Sequence, residues 1–125
     1  MGLIDGLLGN ASEIDPVKLQ NELMKLLADG ESVERAYQLV RDLIVFTNKR
    51  LIFIDKQGIT GKKIEYHSIP YRSIIHFSIE TSGHFDLDAE LKIWISGSST
   101  PIEREFNRKL NIYEVQSVLA YYVLK

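Results

Sequence analysis

The 125-residue sequence contains no cysteine, which excludes disulfides, thiolate metal ligands and cysteine nucleophiles together. It has no apolar run near the ~20 residues that span a bilayer. It has no strong charge of either sign: 15 Lys and Arg stand against 17 Asp and Glu, net −2. The concentrated positive field that draws a protein to nucleic acid or anionic lipid is therefore missing. The opening "MGLIDGLLGN" lacks a basic n-region and carries Asp5, so it is not a signal peptide. Position 6 is Gly where N-myristoylation wants Ser or Thr. These absences predict a soluble cytoplasmic protein. The length suits one domain with one core.

The hydrophobic period divides what is present. Residues 1–30 read as a helical extension. Leu3, Ile4, Leu7 and Leu8 share one helical face, weakened by Gly2, Gly6 and Gly9. That stretch is expected to pack against protein rather than lipid, because Asp5 is its one charge and interfacial helices carry basic residues. A second helix has Asp15 as its cap and Pro16 in its first turn, with Leu19, Leu23, Leu26 and Leu27 as a single stripe. Gly30 closes it as a left-handed C-terminal residue.

From Glu31 to about Phe106 the period is two. "SVERAYQLV", "LIVFTN", "RLIFIDK", "KKIEYHSI", "SIIHFSIE", "FDLDAELKIWIS" and "PIEREF" make seven strands spaced as an antiparallel meander. Within "SIIHFSIE", Ile75, Phe77 and Ile79 are expected on one face. In "FDLDAELKIWIS", Leu91, Ile93 and Ile95 point one way, and Lys92 and Trp94 the other. The chain closes on an amphipathic helix, with Asn111 and Glu114 in capping-box spacing and Ile112, Val115, Leu119, Tyr122 and Val123 as its stripe. The fold class is α+β.

Several constellations have plainer readings than their chemical ones. In "GITGKK" two residues separate the glycines where a P-loop needs four, so Gly58 and Gly61 are turn formers. His84, Asp86 and Asp88 share a strand face, yet same-face side chains lie ~7 Å apart and diverge, so no metal site is expected from them. His67 and Ser68 point to opposite faces and form no nucleophile–base pair. No cofactor, metal or catalytic centre is predicted.

"FTNKRLIFIDKQGITGKKIEYHSIPYRSI" and "FSIETSGHFDLDAELKIWISG" resemble the bacterial pleckstrin-homology family over residues 31–125, and the helices of residues 1–30 look like the usual lead-in of that family. The resemblance implies a bent, seven-stranded PH-like barrel or sandwich plugged by the C-terminal helix. It also implies assembly into ring-shaped homo-oligomers. The function expected on that basis is a non-enzymatic interaction module that presents a repeated surface to an unidentified protein partner. Thr47-Asn48-Lys49-Arg50 would form the tight turn between the second and third strands, with Asn48 tolerating left-handed backbone.

Those two strands are apolar on both faces. Leu43, Val45, Leu51 and Phe53 can face the barrel, and Ile44, Phe46, Ile52 and Ile54 then need cover from the Leu19 helix or a neighbouring subunit; the sequence does not choose which face is which. Trp94, on a polar strand face, is the other candidate interface residue. The alternative is a peripheral lipid-binding domain. In the wider fold basic residues crowd the first strand loop, but here that loop is "LVRDL", one Arg beside one Asp. Lys56, Lys62 and Lys63 would form a weak basic rim; solvated lysines at a hairpin tip are the plainer account.

Overall fold

The computed structural model describes residues 14–40, 42–57, 63–81, 89–106 and 110–125. Helix α1 (Pro16–Leu23) leads into β1 (Val33–Gln38), β2 (Asp42–Thr47), β3 (Arg50–Gln57) and β4 (Lys63–Pro70). A 3-10 turn (Tyr71–Ser73) connects to β5 (Ile74–Glu80), β6 (Ala89–Ile95) and β7 (Ile102–Phe106), and α2 (Ile112–Val123) follows. All pairings are antiparallel, in one sheet ordered β1-β2-β3-β4 and a second ordered β5-β6-β7. The two sheets and α2 enclose a core that includes Tyr37, Phe46, Phe53, Leu91, Phe106, Val115 and Leu119. This is the PH-like α+β architecture. Among the described residues no helix is long and apolar enough to cross a membrane.

The doubly apolar strands acquire two cores, one on each face. Antiparallel register decides which residue belongs where: Leu43 lies opposite Ile54, Ile44 opposite Phe53, Val45 opposite Ile52 and Phe46 opposite Leu51. Paired residues project to the same side of a sheet. Ile44, Phe46, Leu51 and Phe53 therefore enter the barrel, while Leu43, Val45, Ile52 and Ile54 meet Leu19 and Leu23 of α1 with Ile14, Val33 and Ala36. The grouping read from sequence, which left the inner face open, crossed these sets because it matched the two strands without their mutual register. Ile44, Phe46 and Ile52 are 0% exposed and Ile54 is 1%. The cover they require is supplied within the chain.

Helix α1 is shorter than the leucine spacing predicts. Asp15 caps it through Val17 N at 3.0 Å, and it ends at Leu23. Leu26 N then bonds Leu23 O, a tightened turn, and Leu26 O accepts from Arg50 Nη2 instead of from a helical amide. Leu26 and Leu27 still pack on the second core from this non-helical segment. Gly30, at φ +77°, makes the reversal into β1 that a side chain would oppose.

Three further expectations change. Glu34 is an extra residue between Val33 and Arg35 in the β1 register, which breaks the alternation of "SVERAYQLV". Ile75 is likewise an extra residue in β5; it is 60% exposed, while Phe77 and Ile79 still pack on the core. Asn111 accepts from Tyr113 N and Glu114 N, but Glu114 does not complete a reciprocal box. Its carboxylate accepts from Tyr37 Oη at 2.8 Å and faces Arg35. Burial, then that hydrogen bond, pushes the Tyr37 hydroxyl up to about 12.

Candidate interaction surfaces

The polar tetrapeptide between β2 and β3 works as a rivet. Thr47 Oγ1 accepts from the amides of Lys49 and Arg50 at 3.0 and 2.9 Å, so the hydroxyl closes the turn. Asn48 is not left-handed, since among the described residues only Gly30 and Gly97 have positive φ. Its side chain instead grips the linker before β1: Nδ2 donates to Gly30 O, and Oδ1 accepts from Ser32 N.

Beneath it, Glu31 accepts from Thr47 Oγ1 at 2.6 Å, from Arg50 Nε at 2.8 Å and Nη2 at 3.0 Å, and from Ala28 N at 2.8 Å. Arg50 Nη1 reaches across to Ser68 Oγ on β4. Charge-assisted bonds of this kind are the strong ones. One carboxylate thus ties the linker after α1 to β2, β3 and β4.

Burial alone would raise the Glu31 carboxyl, but the hydrogen bonds from Arg50, Ala28 and Thr47 outweigh it and hold the group at about 2. A carboxylate depressed in the folded state stabilises the protein above its unfolded value of 4.5, and that contribution vanishes as pH falls through 2. The shift corresponds to about 3 kcal/mol. The urea midpoint of the wild type is expected to fall steeply between pH 4.5 and pH 2. In Glu31→Gln that part of the slope should be gone, and an unchanged slope would contradict the assignment.

Two open depressions flank this framework. One, of 510 Å³, runs beside the rivet between Leu26, Ala28, Lys49, Ser68 and Pro70. Its Glu31 and Arg50 are consumed by each other, and its one hydroxyl, Ser68, has an arginine rather than a base as neighbour. The other, of 290 Å³, lies between β1 and α2 and is lined by Arg35, Ser117, Val118, Tyr121 and Tyr122. Neither set of lining residues pairs a nucleophile with a general base. Among the described residues no cluster of His, Asp or Glu is placed to hold a metal; His84, Asp86 and Asp88 lie outside them.

Exposed apolar groups line up beside the second depression. Tyr113 and Tyr121 on α2 and Leu124 just past its end are 68–70% exposed, and the two tyrosines lie with Ser117 along the outer side of the helix. Tyr122, next in sequence, turns inward. It stacks between Phe46 and Tyr71, with ring centroids 5.6 and 4.8 Å away, and its hydroxyl donates to Glu34 on β1. Sequence reasoning missed this outer stripe. The signal was available: adjacent helical residues diverge by ~100°, so of Tyr121 and Tyr122 only one enters the core.

On the second sheet Trp94 sits half-exposed opposite its cross-strand partner His76, the rings stacked 4.3 Å apart at 26°. A cross-strand neighbour is thus the stacking partner of this tryptophan. Lys92 is held between Glu90 and Glu103 at 3.8 and 3.9 Å.

The bacterial PH domain family model matches residues 2–123, nearly the whole chain. The chain belongs to the bacterial PH domain family. The uncharacterised protein YjqA of Bacillus subtilis strain 168 is 61% identical over 121 residues, 96% of this chain and 97% of that protein. A crystal structure of a pleckstrin homology domain from Shewanella amazonensis SB2B matches with TM-score 0.84 and 55% identity, covering 99% of this chain and all of that one. A DUF1696 family protein with a pleckstrin-homology domain from Shewanella loihica PV-4 gives TM-score 0.80 and 48% identity over 91% of this chain and 97% of that one.

In this bacterial PH domain the lysines of the β3–β4 hairpin do not form a described cluster. Lys63 is exposed at the start of β4, the side chain of Lys56 and all of Lys62 fall outside the described residues, and so does Leu3-Ile4-Leu7-Leu8. Asp42, which the sequence reading put in the loop before β2, is the first residue of that strand and is tied to Arg104 Nε at 2.5 Å. Arg104 in turn lies over the Phe53 ring at 4.8 Å.

Proposed function

We propose that this bacterial PH domain is a non-enzymatic interaction module that assembles into a symmetric, ring-shaped homo-oligomer and presents a repeated surface to a protein partner. The observation that carries the reading is a pair of unlike exposed patches. One is the Tyr113 and Tyr121 stripe of α2 with Leu124 just past its end, and the other is the Trp94–His76 platform on the second sheet. A closed ring needs two different patches on every subunit, and exposed tyrosine and tryptophan are the side chains that anchor interfaces.

Ile44, Phe46, Ile52 and Ile54 are spent inside the fold and have no free surface to offer a neighbour. Trp94 keeps its candidacy. The mutual engagement of Glu31, Arg50 and Ser68 beside the larger depression supports a binding module over an enzyme.

Light scattering on Tyr121→Glu and Trp94→Ala tests this. Each variant is expected to lower the particle mass while retaining a folded circular-dichroism spectrum. Wild-type mass in both would remove these patches from the contact.

A further inference from the structure

The larger depression holds spare donors but no spare acceptor beside them. Lys49, Arg50 and Ser68 line it opposite Leu26, Ala28 and Pro70. Arg50 keeps an N–H on Nη1 beyond those given to Glu31, Leu26 O and Ser68. Ser68 Oγ accepts from Arg50 at 2.8 Å, and its own proton goes to no described acceptor. The ammonium of Lys49 makes no hydrogen bond or ion pair with a described residue.

The neighbouring acceptors are taken. Glu31 Oε1 receives Ala28 N and Arg50 Nη2, and Oε2 receives Thr47 Oγ1 and Arg50 Nε. Leu26 O accepts from Arg50, and Ala28 O from Glu31 N. A ligand here must therefore bring acceptors. Charge narrows it further. The Glu31 side chain, 1% exposed, cancels Arg50 at 2.8 Å, so Lys49 alone sets the net charge of the lining residues. A monoanion balances that charge, whereas a phosphate dianion exceeds it. Leu26, Ala28 and Pro70 supply an apolar wall, and 510 Å³ lies within the ~300–1,000 Å³ of small-ligand sites. A peptide carboxylate would also bring amide N–H groups, which these engaged acceptors leave unpaired at a cost. A free acid brings only acceptors and hydrocarbon.

We infer that this depression binds a free monocarboxylic acid with an apolar chain. Its carboxylate sits among Lys49 Nζ, Ser68 Oγ and the remaining Arg50 N–H, and its chain lies along Leu26, Ala28 and Pro70. The hydrogen bonds are charge-assisted, and each methylene laid on the wall adds affinity. Every group in the site belongs to one chain, so the site stands apart from self-assembly.

Equilibrium dialysis of radiolabelled octanoate against the full chain at neutral pH tests this. Uptake is expected to saturate at a single molecule per chain. Unlabelled butyrate, 1-octanol and inorganic phosphate should each displace it far less well than unlabelled octanoate. Lys49→Glu changes an exposed side chain, and is expected to weaken binding roughly tenfold or more with the thermal midpoint unchanged. Lys63→Glu makes the same charge change at the other end of β4, ~17 Å from Ser68, and should keep the wild-type affinity. Absence of saturable uptake by the wild type overturns the inference. So does unaltered binding in Lys49→Glu, equal weakening in both lysine variants, or displacement by 1-octanol or phosphate as effective as by octanoate. Light scattering on the same samples reads assembly separately: a monomeric wild type that binds octanoate through Lys49 sinks the assembly reading and upholds this site.

Discussion

Arg50→Ala is expected to lower the thermal midpoint by roughly 10–20 °C, corresponding to a loss of about 3–5 kcal/mol. The arginine itself is partly accessible, but what it leaves behind is not. The Glu31 side chain is 1% exposed, and without Arg50 its carboxylate keeps only the Thr47 hydroxyl and the Ala28 amide. Leu26 O loses its donor at the same time. An uncompensated buried charge costs more than the net gain of the pair. The signature of such a unit is non-additivity: Glu31→Ala with Arg50→Ala should cost clearly less than the sum of the two single changes. Chemical denaturation of the four proteins measures this, and additive losses would show that the two residues act independently.

Phe46→Ala is expected to destabilise by about 3–5 kcal/mol, the range for emptying a phenylalanine site in a packed core. The ring is 0% exposed. It meets Tyr37 edge-on at 6.2 Å and stacks with Tyr122 at 5.6 Å, so its removal loosens β1 and α2 together. Tyr121→Ala is the matched control. At 69% exposure that side chain contributes little to the fold of one chain, and its change should stay within about 0.5 kcal/mol in the dissociated protein. Urea unfolding of both variants discriminates. A loss below about 1 kcal/mol for Phe46→Ala would mean the site collapses freely and the barrel core is not close-packed there.

Much of the architecture was legible because hydrophobic periodicity survives in the sequence. The strands, the closing helix with its Asn111 cap and the Asp15–Pro16 start of α1 all follow from spacing and cap chemistry. What spacing cannot carry is how one strand registers against another. The residues of β2 and β3 were grouped across the wrong faces for that reason, with the inner face left open, and the register that sets Ile44 opposite Phe53 and Val45 opposite Ile52 separates the two cores.

Long-range side-chain capture was equally hidden. Leu26 and Leu27 keep the helical rhythm although Arg50, 24 residues away in sequence, has taken the carbonyl of Leu26. Glu114 stands in capping-box position yet serves Tyr37, 77 residues away. The bulges at Glu34 and Ile75 left no local mark either, since each is an extra residue relative to a partner strand. For the interaction surfaces, Trp94 stood out as a large aromatic on a polar face. The α2 stripe did not, because a helix with tyrosines on two sides reads as core until its docking side is known.

The central claim is that the apolar excess of this sequence is divided, β2 and β3 being covered within the chain and the α2 and Trp94 surfaces being left for copies of itself. Native mass spectrometry of the untagged protein tests it most directly. The account predicts a dominant species at an integer multiple of the 14.3 kDa chain, persisting at high ionic strength because its contacts are mainly apolar. A single dominant species at 14.3 kDa across the micromolar range would contradict it.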